Sequence, residues 1–423
     1  MADLIIKRGH AITINGGVID NGVIVVDNGI ITHVGKDTKE KADRVIDAKG
    51  CVILPGLVNA HTHVSMTLLR GAADNLPFKE WLDKIQQAEM KLTPRCVRAG
   101  AYLGVLEMIK SGTTAFADMY FHMEGVAEVV RETGIRASLG YGMIEGINEE
   151  PEAKLKNRAE FNRKWHRAAN GRISTMYAPH SAMSCSKEFL LRVKEQAARD
   201  GTGIHIHVLE TGDELGSMKE KYGMCSVNLL DSIGMLDSRT IAAHCIWLSD
   251  GDIELLKNRN VNVAHCPTSN MALGVGTAPV PKMLDKGVNV ALGTDGAASS
   301  GSLDMWNEMR VASSIHNSGK EHVIHPRKLL EMATVNGAKA LDINAGVLKP
   351  GCCADIIIVD TGKLQLVPGD IYSALVYGVS GFDVRTTIVD GKILMEDYEV
   401  KVLDEEKVIE GARKAALKFD GDN

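Results

Sequence analysis

Between residues 52 and 294 the chain returns eight times to a short apolar run, and amphipathic segments fall between the runs. The runs are Val52–His63, Thr113–Asp118, Ala137–Gly142, Ile173–His180, Gly203–Val208, Thr240–Ile246, Asn262–Cys266 and Val288–Thr294. Apolar residues recur at helical spacing in Val97–Lys110, Lys187–Arg199, Ser249–Asn258 and Leu303–Ser314. Strands that alternate with helices predict a parallel sheet, and eight of them predict a TIM-like (β/α)8 barrel. Such a barrel builds its active site at the C-terminal ends of its strands. An open doubly wound sheet is the rival, but no Gly-x-Gly-x-x-Gly loop follows the first strand.

The two ends of the chain read differently. Asn-Gly pairs at Asn15-Gly16, Asn21-Gly22 and Asn28-Gly29 punctuate the first fifty residues and predict tight turns in a meander of short strands. The pattern returns in Ala354–Val359 and Thr386–Leu394, the latter containing Asp390-Gly391. Neither end carries enough apolar surface to fold alone. The expected organisation is a small β-sandwich from residues 1–55 plus 345–402, a barrel over 56–344, and a C-terminal helix and tail over 403–423. The terminal helix is read over Glu405–Phe419, and the charged tract Glu149–Arg167 as a solvated helix face.

A formal charge of −6 gives no electrostatic case for nucleic acid or an anionic membrane. No apolar run approaches the roughly 20 residues that span a bilayer. The opening MADLIIKRGH lacks the apolar core of a secretory signal, and the eight cysteines form no C-x-x-C pair. Reduced thiols in a cytoplasmic protein are the expectation.

Polar residues at the strand ends carry the chemistry. The first run closes as His61-Thr-His63, and residues two apart on a strand share a face, so both imidazoles point into the barrel mouth. The fifth run offers His205 and His207 in the same parity. His207 lies nearer the C-terminal end and is favoured as a ligand, with His205 a buried, hydrogen-bonded barrel residue. Glu210 follows just past the strand, His244 ends the sixth run, and Asp295 follows the eighth. Imidazoles and a carboxylate suit a divalent ion, Zn²⁺ foremost and Fe²⁺ equally compatible with the donors. Such an ion lowers the pKa of water from about 16 to roughly 7. The fourth run ends at His180 with no Lys available for a bridging carbamate, so one metal is expected. His265 reads as a packed histidine and Asp118 as a loop or helix cap.

With these residues in place, the chain resembles the amidohydrolase superfamily in its cytosine-deaminase and chlorohydrolase-like branch. It is similar there to the 5'-methylthioadenosine/S-adenosylhomocysteine deaminases and the related 5'-deoxyadenosine deaminases. The stretches PGLVNAHTHVSMTLLRG, EMIKSGTTAFADM, HVLET, HCPTSNMALGVGTAPV, LGTDGAASSGSLDM and GVLKPGCCADIIIVD carry the resemblance, which spans essentially the whole chain. It implies His61, His63, His207 and Asp295 as metal ligands. Glu210 matches the acid that protonates N1 of the purine, and His244 the residue that orients the attacking water. Glu89 matches an acceptor of the ribose hydroxyls, and His180 a residue that contacts the base. The implied activity is hydrolytic deamination of an adenosine-type nucleoside at C6, in a homo-oligomer of tetrameric type.

One departure bears on the substrate. Family members that favour S-adenosylhomocysteine carry an Arg near the end of the third strand, where this chain reads Ser138-Leu-Gly-Tyr-Gly-Met143. A buried carboxylate without a partner is costly. Small uncharged 5' groups are therefore expected to be preferred, with Arg158 the one nearby cation that could compensate. Within the same branch the alternatives are a guanine deaminase or an s-triazine chlorohydrolase type of enzyme; outside enzymes, a non-catalytic scaffold relative.

Overall fold

The computed structural model describes residues 1–146, 149–318, 323–362 and 369–417. Eight parallel strands follow in sequence order around the barrel: Leu57–Thr62, Thr113–Tyr120, Arg136–Met143, Ile173–Pro179, Gly203–Val208, Thr240–His244, Asn262–His265 and Asn289–Leu292. The ring closes where the Asp295 N–H donates to the His61 carbonyl at 3.0 Å. Gly293 makes that approach feasible, because a Cβ there would lie 2.9 Å from His61 backbone and side-chain atoms. Helices return the chain between strands. Pro94–Ser111 is one, with Thr93 accepting from Cys96 N–H at its start and Gly112 in the left-handed region at its end.

Strands from both ends of the chain build one continuous nine-stranded mixed sheet. Across it run Glu399–Val400, Lys392–Glu396, Val384–Val389, Ile356–Asp360, Cys51–Pro55, Ala2–Ile12, Val18–Asp27 and Ile30–Gly35. Ala42–Asp47 pairs in parallel with the first half of Ala2–Ile12. The sheet curls until Ile31 exchanges backbone hydrogen bonds with Gly351 and Cys352. Inside it Leu4, Ile6, Ile24, Ile53, Ile356 and Ile388 form a separate buried cluster.

Three expectations are corrected in detail. The run Val52–His63 is two strands, not one. Cys51–Pro55 pairs antiparallel with Ile356–Asp360, whereas Leu57–Thr62 opens the barrel. The break falls at Gly56, whose N–H donates to the Asp355 carbonyl and whose position leaves no room for a Cβ beside Thr114. Asn28-Gly29 and Asp390-Gly391 are hairpin turns with both residues at positive φ. Asn21-Gly22 is instead a bulge inside Val18–Asp27, because pairing with Ala2–Ile12 continues past it and Gly22 packs on Ala11. The tract around Arg158 is only partly solvated: helix Pro151–Trp165 buries Lys154, Leu155, Arg158, Phe161, Asn162 and Trp165. The terminal helix runs Glu405–Ala416 and packs along Pro94–Ser111, with Lys110 Nζ on Glu405 at 2.8 Å; Phe419 lies outside the described residues. No helix among the described residues is long and apolar enough to cross a membrane. All eight cysteines are free thiols.

Candidate metal centre and active site

His61 is the hub of the site and is wholly buried. Its Nδ1 lies 2.8 Å from His205 Nε2, so His205 is the hydrogen-bonded barrel residue the parity argument called for. His61 Nε2 is also buried and makes no well-formed hydrogen bond among the described residues, its nearest acceptor being Asp295 Oδ1. A buried nitrogen so poorly partnered is costly unless a cation takes its lone pair. His63 Nδ1 donates to the Met119 carbonyl at 2.5 Å, and His207 Nδ1 to the His180 carbonyl at 2.8 Å. In each case the held nitrogen fixes the tautomer and turns the other nitrogen toward the mouth.

Asp295 closes the group. Its Oδ1 lies 3.4 Å from His61 Nε2 and 3.2 Å from His63 Nε2. Its Oδ2 accepts from Ser269 Oγ at 2.6 Å and Ser299 Oγ at 3.3 Å, and the Gly296 N–H holds Oδ1 at 2.8 Å. Among the described residues two sets of donors could hold an ion, His61 with His63 and Asp295, and His61 with His207 and His244, so His61 belongs to both.

Charge follows geometry. Burial, only partly offset by Asp295, drives His61 down to about 4. Burial and the surrounding imidazoles hold His207 well below its ordinary value, so both offer neutral lone pairs. At His63 burial is outweighed by the Asp295 carboxylate and the Met119 carbonyl, which pull it up to about 9. Asp295 stays ionised despite its burial because His61 and His63 face it.

Around this group stand the remaining residues singled out from the sequence. Glu210 Oε1 lies 3.8 Å from His244 Nε2, and burial raises the Glu210 carboxyl against the pull of His244. His244 Nδ1 donates to Asn270 Oδ1 at 2.9 Å. His180 stacks at a tilt on His207, with centroids 4.5 Å apart, and burial lowers it to about 4. Glu89 ends helix Phe78–Glu89 on the His63 side, where burial raises its carboxyl against the Tyr120 hydroxyl and the His63 charge. Leu209, His244, Cys245 and Asp295 all hold positive φ, at 47°, 69°, 51° and 60°. Left-handed backbone at non-glycine residues is strained, and here it sits at the ends of the fifth, sixth and eighth strands, where it turns side chains into the mouth.

His265 is the packed histidine expected, 3.1 Å from His316 across a buried contact. Asp118 is the expected cap, since its Oδ1 accepts from the Val64 N–H at 2.7 Å. Arg158 reaches the end of the third strand, where its guanidinium lies 4.0 Å over Tyr141 and donates to the Gly142 carbonyl at 3.1 Å. Glu149 already pairs with it at 2.8 Å. Sequence reasoning missed Ser269, Asn270, Ser299 and Glu214. The first three lie within the stretches HCPTSN and TDGAASS, which drew attention without yielding their roles.

A closed (β/α)8 barrel whose mouth gathers imidazole and carboxylate donors, with a separate acid beside them, is the architecture of a metal-dependent hydrolase. More narrowly, the chain belongs to the Amidohydrolase family, whose pattern it matches over residues 52–394. It is 56% identical to a 5'-deoxyadenosine deaminase of Methanosarcina acetivorans over 98% of both chains. To a 5-methylthioadenosine/S-adenosylhomocysteine deaminase of Dictyoglomus turgidum it is 46% identical, over 95% of this chain and 96% of the relative. In three dimensions it superposes on a zinc-bound adenosine deaminase from Xanthomonas campestris with a TM-score of 0.95 and 30% identity, covering 99% of each.

Proposed function

We propose that the chain removes the 6-amino group of adenosine-type nucleosides by hydrolysis, giving the inosine analogue and ammonia. 5'-Deoxyadenosine and 5'-methylthioadenosine are the foremost substrates, with S-adenosylhomocysteine and adenosine also accepted. The observation that carries this reading is a half-buried Glu210 carboxyl, raised by its desolvation and 3.8 Å from His244, beside the His61–His63–Asp295 group. Near-full-length similarity to relatives bearing deaminase names supports it.

In this reading His61, His63, His207 and Asp295 hold one divalent ion, Zn²⁺ foremost, although Fe²⁺ suits the same donors. The bound ion supplies Lewis acidity that makes water nucleophilic at neutral pH. Glu210, its carboxyl raised by burial, in its protonated form delivers a proton to N1 as negative charge develops on the purine ring. Asp295 accepts the proton that the attacking water gives up. His244, its ring fixed by Asn270, orients that water through Nε2. Asp295 passes the proton it accepted to the departing nitrogen, and the C6–N bond breaks to release ammonia. The C6 hydroxyl returns its proton to Glu210 as the carbonyl of the inosine analogue forms. Positioned proton transfer of this kind contributes roughly 10²–10⁴-fold. Glu89 accepts the ribose hydroxyls and His180 contacts the base. On the 5' side, Glu149 already neutralises Arg158, which supports a preference for uncharged 5' groups. A cytoplasmic homo-oligomer, of tetrameric type, completes the proposal.

The test is ammonia release from 5'-deoxyadenosine, 5'-methylthioadenosine, S-adenosylhomocysteine, adenosine, adenine, guanine and cytosine. Turnover confined to the 6-amino nucleosides is expected, with the uncharged 5' groups ahead. Turnover of free bases alone would overturn the nucleoside assignment, as would a Glu89→Gln variant with native kcat/KM. S-adenosylhomocysteine far in front would overturn the 5' preference alone.

A further inference from the structure

Glu210 has to present its carboxyl to a substrate atom, yet the only side chain within ion-pairing range of that carboxyl among the described residues is His244. Its aim therefore depends on its backbone. That backbone is unusual, because Leu209 just before it holds a φ of 47°. The Leu209 carbonyl is fixed from one side by the N–H groups of Ile246 at 3.1 Å and Trp247 at 3.2 Å. From the other side, the Glu210 N–H donates to Glu214 Oε2 at 3.2 Å.

Glu214 is itself only 3% exposed. Its second oxygen accepts from the hydroxyl of Ser226, a buried residue that opens helix Ser226–Ser232. Both oxygens of a buried carboxylate are thus engaged, as burial of such a group demands. An ordinary capping box would have Glu214, third residue of helix Gly212–Tyr222, reach back to the N–H of its N-cap, Thr211. Glu214 passes over Thr211 and takes the N–H of Glu210 instead. The contact serves the strained turn rather than the helix start.

We propose that Glu214, anchored by Ser226, is a positioning residue that holds the Leu209–Glu210 turn so that the Glu210 carboxyl faces His244 and the substrate. The inference rests on the role proposed above for Glu210 only where it concerns rate. Its geometric content stands apart from the identity of the substrate.

Crystal structures and steady-state kinetics of Glu214→Ala, Glu214→Leu, Glu214→Gln and Ser226→Ala, each with its metal content measured, test it. The leucine fills the space without an acceptor and substitutes for the alanine should that variant not fold. Loss of the acceptor is expected to displace the Glu210 carboxyl by about 1 Å or more from its place beside His244. A misplacement of that size lowers kcat on the order of 10²-fold, and KM and metal content are expected to stay near native. Glutamine keeps an acceptor for the Glu210 N–H and is expected to restore both position and kcat. Ser226→Ala cuts only the tie between the two helices and is expected to lower stability more than kcat. Glu210 found in its native place in the alanine or leucine variant would overturn the proposal. So would native kcat in those variants, or a glutamine variant as impaired as they are. Were the native protein inactive on every 6-amino nucleoside, the function proposed above would fall, while the crystallographic displacement would still decide this one.

Discussion

An imidazole that binds a metal needs one nitrogen bare and the other held, and the holding groups at this site are as specific as the ligands. Asp295 shows the same division: Oδ1 faces the histidines while Ser269 and Ser299 fix Oδ2. Removing the shorter of these contacts in Ser269→Ala leaves a buried carboxylate free to turn. Loss of such a supporting hydrogen bond costs about 10–100-fold in metal affinity or activity. Chelator competition on the variant checks this, and native affinity would show that Ser299 and Gly296 suffice. A second expectation concerns Glu210. Glu210→Gln keeps the shape of the side chain but cannot deliver a proton, so kcat should fall roughly 10²–10⁴-fold with metal content unchanged. A variant with near-native kcat would remove Glu210 from the chemistry. The ligand candidates were legible in the sequence because strand parity and strand ends are one-dimensional properties. Ser269, Asn270 and Glu214 were not, because each acts through a partner on another loop or through a turn that no spacing rule announces.

At the scale of elements, the joint between the two sheets is a single stretch of chain. Cys51–Pro55 belongs to the curled sheet and Leu57–Thr62 to the barrel, with Gly56 between. The alternation of apolar residues does not mark this break, since both halves are buried and both extended; what marks it is crowding against Thr114, visible only in three dimensions. A charge pair secures the joint. Arg136, opening the third barrel strand, grips Asp355 through two hydrogen bonds of 2.9 and 3.1 Å, with both side chains buried. The Asp355 carbonyl in turn receives the Gly56 N–H. Breaking a buried pair from one side leaves an uncompensated charge, at a cost of about 3–5 kcal/mol. Arg136→Ala should therefore lose stability of that order in urea titration while its folded fraction keeps native kcat. A loss well under 1 kcal/mol would mean that water reaches Asp355 and that the joint is held by backbone alone.

For the whole molecule, the metal site and the closure of the barrel are one problem. The proposed ligands come from the first, fifth and eighth strands, and the first and eighth meet where Asp295 N–H bonds the His61 carbonyl. An ion there ties the seam of the barrel to its opposite wall. The native state alone assembles these donors, so free metal should stabilise it by mass action, about 2.7 kcal/mol at a hundred times Kd. Spread over the unfolding entropy of 423 residues, that is a rise of roughly 3 °C in Tm. Because the curled sheet shares Cys51–Thr62 with the barrel, the gain should appear in a single transition that moves as a whole. Calorimetry of metal-depleted protein against a series of buffered Zn²⁺ concentrations measures both effects. A Tm that ignores free metal would remove the ion from these ligands. Two transitions, only one of them sensitive to metal, would show that the curled sheet and the barrel unfold separately despite the strand run they share.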